Sequence, residues 1–200
     1  MGRDHGGKVQ LWGMVAISLV AGLLFACSGQ TRLMGTDLKR QAAPDFHLRD
    51  GSGQAYTLSQ FKGKAVVLTF LYTHCPDYCP LTAELLRHAD ESAGHPKNAV
   101  YLAVSVDPTG DTPKSVATFN AQHHLDELGE RWHYLIGSLP ELESVWHSYY
   151  VDASPEVGVN GGGHSSVLFF IDRQGNERSL SEIDASAESI ARNVLILTKS

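Results

Sequence analysis

The chain from residue 43 onward alternates short apolar runs with amphipathic stretches. The apolar runs are rich in β-branched and aromatic residues and therefore predict strands, at residues 54–58, 65–72, 99–106, 132–136 and 165–171. The amphipathic stretches carry apolar residues at helical spacing and predict helices, at residues 80–89, 113–124, 140–150 and 185–197. Strands that alternate with helices indicate an α/β domain, with a central sheet flanked by helices on both faces.

The runs at 65–72 and 99–106 are almost continuously apolar, which is typical of central strands buried on both faces. In an open sheet of this kind, functional groups gather beyond the carboxyl ends of the strands. Three segments are candidates for such loops: 73–80, 107–113 and the glycine-rich 158–164. In the second of these, Asp111 and Thr112 are suited to cap the helix that Pro113 opens.

Residues 1–26 have the layout of a secretory signal. Arg3 and Lys8 precede an uncharged run of sixteen residues, 11–26, which is shorter than the roughly 20 apolar residues that a spanning helix needs. The run ends in Leu-Phe-Ala-Cys at Cys27, which resembles the bacterial lipobox, although Phe25 departs from its usual pattern. We expect lipidation at Cys27; an ordinary signal peptide cut nearby and a retained short anchor are the alternatives.

This N-terminal pattern predicts three parts. Residues 1–26 are a signal peptide, residues 27–43 are the lipidated cysteine and a polar tether, and residues 44–200 form one domain. The domain lies outside the cytoplasm, on the periplasmic side, as a membrane-anchored lipoprotein. Removal of residues 1–26 takes the formal charge from −6 to about −7, and such an acidic chain argues against nucleic-acid binding.

The three cysteines divide into Cys27 and a close pair, Cys75 and Cys79. A close pair in an exported protein is a short-loop disulfide, a redox centre or a metal site. The two thiols lie in the loop that enters a predicted helix, where the amide dipoles of the first turn make them easier to ionise. Two thiolates select Cu(I) or Zn(II), and an added imidazole also allows Cu(II). Among ten histidines, His164 is favoured because it follows three glycines and opens an apolar strand; the alternative is a histidine that only forms a turn.

Three segments together resemble one known family. They read FLYTHCPDYCP, AVSVDPTGDTP and GHSSVLFFID in this order, and they are similar to the Sco/SenC family of copper-binding assembly factors for cytochrome c oxidase, over about residues 43–197. The resemblance implies a thioredoxin-like (peroxiredoxin-like) fold, one copper ion, Cu(I) or Cu(II), and the ligands Cys75, Cys79 and His164. Two residues depart from the family pattern. Tyr78 stands at a position that is usually aliphatic, and Gly163 stands at a position where an Asp is common.

The resemblance also implies a partner, the binuclear copper site of cytochrome c oxidase subunit II or another extracytoplasmic copper protein. Three functions are compatible with the cysteine pair. The first is a copper metallochaperone. The second is a thiol-disulfide oxidoreductase, in which Cys75 and Cys79 are catalytic and keep partner cysteines reduced. The third, a peroxidase of the peroxiredoxin type, is the weakest. Those enzymes resemble the pattern Pro-x-x-x-Thr-x-x-Cys, whereas Thr73 lies only two residues before Cys75.

Several nearby residues have simpler interpretations. Asp107 turns the chain with Pro108, and Asp77 either caps the following helix or helps partner docking. His74 has a structural or an outer-sphere role. A further set of residues is expected to be packed or solvated: His123, His124, His133, His147, Trp132, Trp146 and Tyr149.

Overall fold

The predicted α/β organisation is confirmed in the computed structural model, which describes residues 1–2, 32–153, 167–182 and 184–200. The strands in these ranges are β1 (Thr36–Ala42), β2 (His47–Asp50), β3 (Ala55–Thr57), β4 (Ala65–Leu71), β5 (Ala99–Ser105), β6 (Trp132–Ile136), β7 (Val167–Ile171) and β8 (Asn176–Glu182). The helices are α1 (Tyr78–Ser92), α2 (Pro113–Gln122), α3 (Leu139–Ser148) and α4 (Ala187–Leu197), with short 3-10 helices at Leu58–Phe61 and Leu125–Arg131.

The strands form one mixed sheet in the order β1-β8-β7-β4-β5-β6-β2-β3. Strands β4, β5 and β6 run parallel, and β7 pairs antiparallel with β4. Every residue of β4 and β5 is buried, as the two apolar runs predicted. Burial on both faces explains why these strands lack the alternation of a half-exposed strand. The carboxyl ends of the three parallel strands therefore meet at one edge of the sheet.

Helices lie on both faces of this sheet. The strand registers align Phe70 with Val104 and Val104 with Leu135, so Tyr134 points to the opposite face from Phe70. Phe70 contacts Tyr149 just after α3, with ring centroids 5.8 Å apart. Tyr134 contacts Phe119 of α2, with centroids 5.9 Å apart. Strands β4 to β6 are therefore packed between α2 and α3.

The sheet is wider than the sequence predicted, because β1, β2 and β8 were missed. Residues 36–42 were assigned to the polar tether, but they form β1, which pairs antiparallel with β8. The expected tether is wrong over this segment, and the folded part of the chain begins earlier. Six of the seven residues of β1 are exposed, so burial imposes no alternating pattern on the segment. Pairing at a sheet edge, rather than an apolar face, makes this segment a strand.

The start of α1 differs from the expected position, whereas the start of α2 matches it. Helix α1 begins at Tyr78 rather than at Pro80, which places Cys79 inside the helix. Helix α2 begins at Pro113, as predicted, and its cap is Thr112, whose hydroxyl accepts the Ser115 N–H at 3.1 Å. Within the described ranges, no helix is long and apolar enough to cross a membrane.

Candidate metal centre

The cysteine pair lies where β4 passes into α1. Cys75 is in the connecting loop, and Cys79 is in the first turn of the helix. The helix turn brings the backbone N–H of Cys79 to 3.4 Å from Sγ of Cys75, which accepts a hydrogen bond from it. Both side chains are thiols, exposed by 8% and 0%. The two cysteines therefore lie next to each other at the carboxyl end of a central strand, and their role as one metal or redox site stays a prediction.

The two thiols have opposite electrostatic environments. A hydrogen bond from the Cys79 thiol lowers the pKa of Cys75 to about 5, with help from the Asp77 and Cys79 amides and the Tyr72 hydroxyl and against the effect of burial. The same hydrogen bond, together with burial, raises the pKa of Cys79. Cys75 is therefore the thiolate of the pair at neutral pH, and Cys79 keeps its proton until a partner or a metal ion displaces it.

The other predicted site residues, His164 and Cys27, lie outside the described residues. The nearest described residue after His164 is Val167, the first of β7. Strand β7 pairs antiparallel with β4, with Leu68 opposite Phe169, and the Thr69 hydroxyl donates to the Val167 carbonyl at 3.0 Å. The chain thus enters β7 beside the end of β4, at the same edge of the sheet as the cysteines.

Asp111 has a different role from the helix cap expected of it. Its side chain is buried, with 5% exposure, and it accepts four hydrogen bonds. The Thr73 N–H and hydroxyl donate to Oδ1 at 2.8 and 2.7 Å. The Ser105 and Tyr134 hydroxyls donate to Oδ2 at 2.6 and 2.8 Å. Burial raises the pKa of Asp111, and these four donors oppose that shift.

Sequence reasoning missed this network, and the available signal was weak. Asp111 belongs to the loop that follows β5, and Thr73 belongs to the loop that follows β4. Because parallel strands end at the same edge, a polar residue in one loop is a candidate partner for the other. The pattern around Pro113 suggested a helix cap instead, and Thr112 alone satisfies that pattern.

Asp107 confirms its expected turn role. Its Oδ1 accepts the Thr109 N–H and hydroxyl and the Gly110 N–H, at 3.2, 3.0 and 2.8 Å. His74 is exposed, and its Nδ1 lies 3.1 Å from the Thr73 hydroxyl. His74, Asp107 and Asp111 each place one donor atom within 4.8 Å of the others. The four hydrogen bonds to Asp111 already use its two oxygens, which argues against these three residues as a separate metal site.

The aromatic predictions are confirmed, and His133 is packed as expected. Trp132, Trp146 and Tyr149 are buried in the core, and the Trp146 indole donates to the Ser105 carbonyl at 2.9 Å. His133 packs between aromatic rings, 4.5 Å from Tyr56 between ring centroids. Asp77 precedes α1 without a side-chain capping bond, so the capping alternative for this residue is wrong.

Comparison with known proteins decides the family. The sequence model of the SCO1/SenC family matches residues 35–199. The chain belongs to the SCO1/SenC family. The matched range begins one residue before β1 and includes α4, so the family covers the whole sheet and its four described helices.

Three relatives show how far the likeness extends. The human mitochondrial SCO2 homolog is 35% identical over 130 residues, which are 60% of this chain and 47% of that protein. The copper-bound structure of ScoI from Bradyrhizobium japonicum is 28% identical, has a TM-score of 0.61 and covers 76% of this chain and 97% of its own. Copper-bound ScoI from Arabidopsis thaliana is 25% identical, with a TM-score of 0.63 and coverages of 77% and 96%. The chain matches about half the length of the mitochondrial relative.

Proposed function

We propose that this domain is a copper metallochaperone that binds one copper ion through Cys75, Cys79 and His164. The observation that carries the proposal is the pairing of two buried sulfurs at the start of α1. Two thiolates prefer a soft ion such as Cu(I), and the imidazole extends the site to Cu(II). Family members with copper bound, from Bradyrhizobium japonicum and Arabidopsis thaliana, support copper rather than zinc.

The path of the chain into β7 supports the assignment of His164. Val167 lies beside the end of β4, and two residues separate it from His164 in the sequence. At up to about 3.5 Å per residue, His164 lies within roughly 10 Å of Val167, and the proposal requires its imidazole to reach the two sulfurs within that span. Gly163 immediately precedes the histidine and gives the backbone freedom to make that approach.

Each described group has a defined part in the proposed handling of the ion. Cys75 is the thiolate that meets copper first, because its pKa is lowered to about 5. Cys79 would release its proton on becoming the second thiolate ligand, because metal ligation requires the deprotonated sulfur. Copper leaves when thiolates of a partner replace these ligands one at a time. The partner we propose is the binuclear copper site of cytochrome c oxidase subunit II, or another extracytoplasmic copper protein.

A second candidate, a thiol-disulfide oxidoreductase, is favoured by the asymmetry of the two thiols. The Cys75 thiolate attacks a partner disulfide and forms a mixed disulfide, releasing one partner thiolate. Cys79 then loses its proton and attacks Cys75, which releases the second partner thiolate and leaves a Cys75–Cys79 disulfide. Two electrons pass from the domain to the partner. Oxidation of the pair destroys the copper site, so the two functions are mutually exclusive at any moment.

We also propose that the domain works on the periplasmic side of a membrane, anchored through a lipid on Cys27. Mass spectrometry of the N-terminus of the protein isolated from its native membrane tests this directly. A diacylglycerol mass on Cys27 is the expected result. An N-terminus without that mass, or a chain that retains residues 1–26, would contradict the lipid anchor while leaving the copper proposal intact.

The copper proposal is tested with the reduced protein, titrated separately with Cu(I) and Cu(II) in competition with a chromophoric chelator. We expect one ion of either oxidation state per chain. His164→Ala will weaken Cu(II) binding far more than Cu(I) binding, because imidazole matters most to the harder ion. The matched control is His147→Ala, since His147 is an exposed histidine of α3, and it should leave both affinities unchanged.

Two results would overturn the ligand assignment. One is an equal effect of His164→Ala on the two oxidation states, and the other is undiminished Cu(I) binding by the Cys75→Ser variant. A wild-type domain that binds neither ion but rapidly reduces a model disulfide would favour the oxidoreductase instead.

A further inference from the structure

The buried carboxylate of Asp111 accepts its hydrogen bonds beneath the start of the cysteine loop. Its four hydrogen-bond donors are one backbone amide and three hydroxyl groups. Among the described residues, none of the lysine, arginine and histidine side chains forms an ion pair with it. A buried anion normally has such a partner, because desolvation of a lone charge is expensive.

The network around Asp111 connects three parallel strands to the cysteine loop. Ser105 is the last residue of β5, Tyr134 belongs to β6, and Thr73 follows the end of β4. The carboxylate thereby ties the start of the loop to the rigid centre of the sheet. Thr73 stands two residues before Cys75, so its two bonds to Asp111 determine where the loop that carries the thiolate begins.

The Asp111 carboxylate also lies near the sulfur atoms. The Thr73 N–H that donates to it belongs to a residue two positions before Cys75, so the carboxylate lies within roughly 10 Å of the Cys75 backbone. The charge is therefore close enough to act on an ion that the two sulfurs would hold. A fixed anion near a cation site stabilises a divalent ion more than a monovalent ion, since the Coulomb energy scales with the ionic charge.

We propose that Asp111 is a positioning residue of the copper site, which anchors the cysteine loop through Thr73 and places a buried negative charge that favours Cu(II) over Cu(I). This inference deepens the proposed function and rests on it. Asp111 acts without touching the metal, because its oxygens are already occupied by hydrogen bonds. It balances the preference of the two soft sulfurs for Cu(I), so that one site is able to hold either oxidation state.

The test variant is Asp111→Asn, which removes the charge and preserves the shape. The new amide oxygen is able to accept the Thr73 N–H, and the amide nitrogen is able to donate to the Ser105 and Tyr134 hydroxyls, which accept as well as donate. We expect the ratio of Cu(II) to Cu(I) affinity to fall on the order of tenfold, equivalent to a rise of about 59 mV in the reduction potential of the bound copper. Chelator competition and redox titration of the copper-loaded protein measure these two quantities independently.

Tyr134→Phe is the matched control. It removes one donor from the same buried carboxylate but leaves the charge in place. The ratio of Cu(II) to Cu(I) affinity should therefore change by less than about twofold, as the charge and the loop contact through Thr73 both remain. A shift in Tyr134→Phe as large as in Asp111→Asn would show that general disturbance of the network, not the charge, sets the ratio, and would overturn the proposal.

A third variant, Thr73→Val, tests the loop contact and keeps the proposal open to refutation if Asp111→Asn does not fold. It removes one of the two Thr73 bonds while the charge stays. We expect weaker binding of both ions by a similar factor, of about three- to tenfold. Unchanged affinities would overturn the positioning role. Failure of wild-type protein to bind copper would instead refute the proposed function, so the two failures are distinguishable.

Discussion

Arg131→Met is expected to destabilise the domain strongly without affecting the cysteine site. Asp90, near the end of α1, is buried with 1% exposure. The Arg131 guanidinium donates from Nε to Oδ1 at 3.0 Å and from Nη2 to Oδ2 at 3.1 Å. His95 adds a contact of 2.7 Å from its Nδ1 to Oδ2. Methionine preserves most of the side-chain volume of Arg131 but removes both donors and the positive charge.

The magnitude follows from the burial of the two partners. Removing one partner of a buried ion pair costs about 3–5 kcal/mol. The Arg131 side chain is 23% exposed and His95 remains in contact, so we expect a loss at or just below the low end of that range, about 2–3 kcal/mol. For a domain of this size the loss corresponds to a fall in Tm of roughly 4–12 °C.

Urea unfolding of the reduced protein at pH 7 measures this loss. The m-value should stay constant, because the surface exposed on unfolding is unchanged. Arg87→Met is the matched control, since Arg87 pairs with the partly exposed Glu84 at 3.1 Å on the same helix. That pair is expected to contribute less than about 1 kcal/mol.

Copper affinity at 20 °C should be unaffected in both variants. Asp90 lies roughly three turns, or about 16 Å, beyond Cys79 along α1. Equal destabilisation by Arg131→Met and Arg87→Met would refute the reasoning, since it would mean that water replaces the guanidinium at Asp90 at little cost.

Two further predictions concern parts of the fold away from the cysteines. Burial lowers the pKa of His133 below 6.5; Lys64 lowers it further, and the carboxylates of Asp50 and Glu130 oppose the shift. The unfolded chain therefore takes up this proton at a higher pH than the folded domain does. Stability is therefore lost as the pH falls through 6.5, and the free energy of unfolding of His133→Phe should fall less than that of wild type between about pH 7.5 and 5.5; parallel pH profiles would contradict this. The buried Asn193 of α4 accepts the Met34 N–H at 2.8 Å and donates to the Met34 carbonyl at 3.1 Å. Asn193→Ala should therefore lower the free energy of unfolding by about 1–3 kcal/mol and accelerate amide exchange in β1. Unchanged exchange in β1 would show that pairing with β8 alone holds the strand.

The sequence alone determined the centre of the fold and the closeness of the two cysteines. The runs at 65–72 and 99–106 predicted two central strands buried on both faces, and the structure contains them as β4 and β5. The spacing of Cys75 and Cys79 at the end of such a strand predicted paired sulfurs. These features are local. A continuous apolar run and a pair of cysteines one helical turn apart are each defined by residues that lie within a few positions of one another.

The tertiary structure decided what depends on distant partners. Strand β1 is polar and mostly exposed, and it is a strand because β8 offers it an edge. The local sequence predicted a helix cap at Asp111. The alignment of β4, β5 and β6 instead brings its carboxylate to Thr73, Ser105 and Tyr134. An edge strand and a buried carboxylate take their hydrogen bonds from residues far away along the chain, so no local pattern of hydrophobic and polar positions encodes them.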